Sequence, residues 1–207
     1  MFLTYNTSYE KSITKIWDIK IIVYLALYLA IIIVFTFTPY TGYITVGIVS
    51  ITTIPLIILI ASIHLGYIGI LWTCFNFGLW SFIGSIILQL PIFNLVYISL
   101  IPRILLGLIL CAIYYLLFKV WSFNLVSVAI YAFCIFMLNT MLVSSALLIT
   151  IQFKDLNIGN AKIWFGLIWI NMLVEWGILE VISLALYPFL KWVKSRTAQE
   201  FWNESKY

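Results

Sequence analysis

The chain has 207 residues, of which 65% are hydrophobic and 9% charged. Soluble domains carry about 45–50% apolar and about 25% charged residues, so most of this surface must face lipid, and a soluble domain is excluded. The formal net charge of +4 is small and gathered near the chain ends, which argues against a nucleic-acid binder.

Residues 1–15, "MFLTYNTSYEKSITK", are too polar for a signal-peptide core and are expected as a cytosolic tail. About 20 mostly apolar residues cross a bilayer as a helix. On that basis six spans are predicted, at 17–38, 44–63, 67–90, 97–118, 125–152 and 163–190. "TPYTGY" turns the chain after the first and "IHLGY" after the second, so the second and third form a tight hairpin. Pro91 closes the third, and "FKDLNIGNAK" joins the fifth to the sixth. The fold class expected is all-α integral membrane, a single membrane domain over 1–207 made of a six-helix bundle at 16–192 and a second cytosolic tail at 193–207. Lysine and arginine placement sets orientation. With both termini in the cytosol, that side holds Lys11, Lys15, Lys119, Lys191, Lys194, Arg196 and Lys206. The outer side then holds Lys154 and Lys162, with Arg103 near the outer surface.

Charged side chains within hydrocarbon cost about 2.5–3.5 kcal/mol each on insertion scales and mark binding sites or pathways. The candidates are Arg103 at the start of the fourth span, Asn139 in the fifth, and Asn171, Glu175 and Glu180 along the sixth. Asn171 and Glu175, four apart, share a helix face, while Glu180 is rotated away. A pocket between the last three spans is one reading. The other is structural: asparagines bridging helices, Arg103 snorkelling to headgroups or paired with Glu175. Pro102 suits the first turn of a helix, where its missing N–H costs nothing, and Gly107 would leave space one turn below Arg103. Cys74, Cys111 and Cys134 sit in apolar runs without CxxC spacing and read as small hydrophobes. With one histidine, His64, neither a His-based metal cluster nor a Ser/His/Asp triad can be assembled, and no Walker A motif is present. An intramembrane enzyme using Glu175 and Glu180 is the alternative of another class. "ALYLA" sets Ala26 and Ala30 on one helix side, a spacing that admits a close helix partner.

Taken together, "ALYLA", "TPYTGYITVG", "TTIPLIILIASIHLGYIGIL", "LPIFNLVYISLIPRILLGLILCAIYYLLFK", "LNTMLVSSALL" and "NMLVEWGILEVISLALYPFLKW" resemble, in order and spacing, the substrate-binding S-components of energy-coupling factor (ECF) vitamin transporters. The resemblance covers Ala26 to Trp192. It departs from the family at "IHLGYIG", which lacks the Leu-Gly-Pro proline, and at Thr53-Ile54-Pro55, where relatives often carry His-Ile-Pro. It implies a plasma-membrane protein that is not an enzyme and holds a water-soluble vitamin near the outer surface. Loops one, three and five would close over the ligand. Arg103, Asn139, Asn171, Glu175, Asn94, Tyr97 and Tyr43 would line the site. The chain itself would need no metal or other cofactor. A transmembrane T-subunit, lying against Ala26 and Ala30, and two ATP-binding subunits would supply the energy. Pantothenate, an acid rich in hydroxyl and amide groups, suits this set, with riboflavin, folate, cobalamin and pyridoxal-like compounds open.

Overall fold

A computed structural model describes residues 19–38, 42–46, 49–87, 94–153 and 161–203. The first helix, α1 (Ile19–Phe37), is followed by an antiparallel hairpin of β1 (Tyr43–Val46) and β2 (Val49–Thr52), in which Tyr43 faces Thr52 and Val46 faces Val49. Next come α2 (Ile54–Leu65), α3 (Tyr67–Ile87), the single turn α4 (Val96–Ser99) and α5 (Ile101–Tyr114), the last running into a π-helical segment, Tyr115–Trp121. Then α6 (Leu125–Phe153), α7 (Ala161–Ala185) and α8 (Tyr187–Asn203) complete the described chain.

The protein is a multi-pass helical membrane protein. Among the described residues four helical stretches, Ile19–Phe37, Tyr67–Ile87, Val96–Phe118 and Leu125–Thr150, are long and apolar enough to cross a bilayer. A fifth is added if Met172–Ala185 and Tyr187–Arg196, bent by 54°, count as one span. The expected second span, 44–63, is not one helix. Its first half is the β-hairpin and its second half the 12-residue α2. A hydropathy count cannot see this break. "YITV" and "VSIT" are rich in β-branched residues, which favour the pleated backbone, and Pro55 in the first turn of α2 is a natural helix start. The predicted sixth span, 163–190, is likewise interrupted at Leu186. Pro188 cannot donate to the Leu184 carbonyl and its ring crowds it, which accounts for a bend at that place. Residues from 193 onward, expected as tail, remain helical as far as Asn203; residues 1–15 lie outside the described residues.

The turn between α2 and α3 is as tight as expected. Gly66 adopts φ +61, a conformation that suits glycine, and its amide bonds the Ser62 carbonyl while its own carbonyl receives Ile70 N. Helix α3 is the central element and packs on α1, α2, α4 and α5. Ile32, Ile58, Phe77, Leu106, Leu110, Tyr131, Ile135 and Leu179 are fully buried between the helices. In lipid such contacts hold helices together by packing rather than by exclusion of water. Gly107, on α5, is one of the places where that packing is close. A side chain there would meet Cys74 Cβ at 3.1 Å. The space beside Gly107 is therefore occupied by α3 and does not open beside Arg103.

Gly107→Val should push α3 and α5 apart and destabilise the protein by about 1–3 kcal/mol, read as a lower unfolding temperature in detergent micelles. Leu108→Val, on the lipid-facing side at 56% exposure, should stay within about 0.5 kcal/mol.

Candidate functional site

The sequence places Arg103 in the first turn of α5, and the fold turns it inward. It is 5% exposed. Its Nη1 donates to the carbonyls of Ile98 (2.7 Å) and Ser99 (3.1 Å) on α4, and its guanidinium lies 5.0 Å from the Phe77 ring centroid on α3. The short α4 turn thus has a role: its carbonyls receive the arginine, and the ring face supplies a further attraction to a cation. Gly78 makes this approach possible, because an added side chain would meet Arg103 Cβ at 3.1 Å and Leu100 at 3.0 Å. Snorkelling to headgroups, one of the readings open from sequence, does not describe this side chain.

Asn139 and Thr140 stand in the middle of α6. From the connection between Trp121 and Leu125, Arg103 lies about 27 Å up α5 and Asn139 about 21 Å up α6, at about 1.5 Å per residue. Arg103 therefore lies near the end of α5 remote from that connection, and Asn139 about midway along α6. Asn139 is buried, and its Oδ1 accepts no hydrogen bond from the described residues. Such an orphan costs about 1–3 kcal/mol, and a group bound beside it would remove that cost.

Glu175, on α7, is 4% exposed. Its Oε1 accepts from the backbone amide of Thr52 at 2.8 Å, and its Oε2 accepts from the Thr140 hydroxyl at 3.3 Å. The ion pair with Arg103 weighed from the sequence is not formed. The carboxylate instead fastens β2 to α6 and α7. Glu180 does not join it: five residues on, it is rotated by about 140° around α7, is half-buried, and its buried Oε2 has no hydrogen-bond partner among the described residues.

Of the remaining expected residues, Asn94 and Tyr97 lie exposed at and just inside α4, in the connection between α3 and α5. Tyr43 belongs to β1 and Asn171 to α7, but their side chains lie outside the described residues. Ala26 and Ala30 are both exposed, on a face of α1 continued by Val23 (59%), Leu27 (53%) and Val34 (56%). His64 closes the opposite end, with its Nδ1 2.9 Å from the Tyr28 hydroxyl and Tyr24 edge-on at 4.5 Å. No group of three His, Cys, Asp or Glu side chains suited to a metal occurs among the described residues.

Sequence reasoning missed Thr52, Thr140 and Phe77. Thr140 was adjacent to a flagged asparagine, so "LNT" held a faint signal. Thr52 acts through its backbone amide and Phe77 is one aromatic among many, so neither carried one. No protein-family model matches the chain, and no curated protein matches it either.

Replacing Glu175 with Ala removes the acceptor of the Thr52 amide. Hydrogen bonds to charged groups contribute about 1.5–3 kcal/mol, so hydrogen–deuterium exchange across Val49–Thr52 should accelerate roughly tenfold to a hundredfold. Glu175→Gln, which keeps a carbonyl oxygen, should give a smaller change.

Proposed function

We propose that the chain is the substrate-binding S-component of an ECF-type importer, a non-enzymatic membrane subunit that captures a small water-soluble vitamin outside the cell. The observation that carries this reading is the burial of Arg103 within the bundle, together with a buried Asn139 midway along α6 whose oxygen has no hydrogen-bond partner among the described residues. A planar guanidinium held in place by α4 carbonyls is suited to receive a carboxylate in two parallel hydrogen bonds. Asn139 offers an acceptor to a ligand hydroxyl or amide. Pantothenate combines those groups and is the substrate favoured; a riboflavin, folate, cobalamin or pyridoxal-like compound would use the same site differently.

Six passes suit this reading when α1, the β-hairpin with α2, α3, α4 with α5, α6, and α7 count as one each. The plasma membrane is the location proposed, with termini in the cytosol and α8 on that side with Lys191, Lys194 and Arg196. The exposed Ala26 and Ala30 face would receive a T-subunit helix, and two ATP-binding subunits would complete the assembly and use the ATP. Glu175 takes a different part from the one first expected. Both its oxygens are engaged by protein, so it holds the first loop in place rather than binding ligand, and this weighs against an enzyme built on Glu175 and Glu180.

Isothermal titration of the purified chain with pantothenate should show tight binding that Arg103→Ala reduces by at least a hundredfold, consistent with loss of a buried charged hydrogen-bond pair of about 3 kcal/mol or more. Unchanged affinity in a folded variant removes Arg103 from the site, and absence of binding by any of the named vitamins removes the transport reading. Ala26→Trp should leave ligand affinity unaltered and abolish uptake by the reconstituted assembly; normal uptake removes the α1 interface.

A further inference from the structure

The last helix has features that the transport reading does not use. Helix α7 bends by 54° into α8, and the bend lies beside the α5–α6 connection: Tyr187 stacks on Phe123 at 6.1 Å and 19°. Lys194 sets its ammonium 3.9 Å from the Phe123 ring centroid and 5.5 Å from that of Phe118. A connection between two spanning helices lies at the membrane boundary, so α8 leaves the bundle at that boundary. One face of α8 is settled, because Leu190 and Val193 are buried and the helix packs on α2. The opposite face is open. On one flank Phe189 and Trp192 stack at 6.0 Å and are 46% and 55% exposed, with the Arg196 guanidinium 5.8 Å from the Trp192 ring centroid. On the other flank Lys191 and Ser195 are exposed. Three cations against one acid, Glu200, make the helix basic.

We propose that α8 is an interfacial anchor that recognises the anionic headgroups of the adjacent leaflet. Amphipathic aromatic rings settle at headgroup depth, and a basic helix with an aromatic flank lies in the interface plane. Phe189 and Trp192 enter the acyl–headgroup boundary, Arg196 bonds phosphate above the indole, and Lys191 adds a second phosphate contact. A cation close to an anionic surface strengthens association about fivefold, so Lys191 and Arg196 together give on the order of thirtyfold. The occupant is a bilayer rather than a protein because the bend delivers this face to the membrane boundary with the complementary charge. This inference does not rest on the transport reading and survives its failure.

The test uses the full chain in nanodiscs of phosphatidylcholine alone or mixed with phosphatidylglycerol. Wild type should retain phosphatidylglycerol over phosphatidylcholine after detergent extraction, read by native mass spectrometry. Lys191→Glu combined with Arg196→Glu should reduce that preference on the order of tenfold or more at unchanged unfolding temperature in phosphatidylcholine. If the reversal prevents folding, Lys191→Gln with Arg196→Gln should show a smaller loss of the same sign. Brominated lipid should quench a fluorescence component that Trp192→Phe removes. An equal lipid preference in wild type and folded variants overturns the inference. So does a Trp192 component that brominated lipid does not quench. Loss of ATP-binding subunits in the charge variants with an unaltered lipid ratio also overturns it, by assigning the face to a protein.

Discussion

Backbone polar groups cannot be left to lipid, and this constraint shapes the β-hairpin that interrupts the helices among the described residues. Irregular backbone at membrane depth is tolerated only where protein or a water-lined cavity surrounds it. Strand β2 reaches Thr52 at the level of Thr140, well along the 29-residue α6. Its last amide would be an orphan there without Glu175. The carboxylate resolves two problems at once, since the amide and the Thr140 hydroxyl also solvate a buried charge. Hairpin, α6 and α7 are thereby joined by one side chain.

Arg103 obeys the same rule from the opposite sign. A guanidinium cannot lose its proton, so a buried one must be surrounded by acceptors. The turn of α4 supplies two carbonyls and Phe77 a ring face, and Gly78 provides the clearance. Arginine and glutamate, which invite pairing when read along the chain, are instead engaged by different elements. Beside Thr140 on α6 lies Asn139, whose buried oxygen has no hydrogen-bond partner among the described residues.

On the interfacial reading proposed for it, helix α8 extends this logic to the membrane boundary. There the aromatic residues Phe123 and Tyr187 pack against each other while Phe189 and Trp192 face outward. Cations lie over rings on both sides, Lys194 against the bundle and Arg196 against its own helix. Position at the boundary permits charge and ring to share one surface, which the hydrocarbon interior would penalise.

The membrane class, the positions of α1, α3, α5 and α6, the turn at Gly66 and the set of polar residues worth examining were all legible in the sequence. Each follows from local quantities: length of apolar run, a positive-φ glycine, the rarity of charge in lipid. The hairpin was not legible, because apolar β-branched residues score as a span whether they form strand or helix. Nor was the inward turn of Arg103, which depends on α4 and on Phe77 and Gly78 across the helix interface. The partner of Glu175 was equally hidden, being a backbone amide 123 residues away, and backbone amides leave no mark in a sequence. Composition decided the solvent; tertiary packing alone decided which buried charge meets which partner, because that choice is made between elements far apart along the chain.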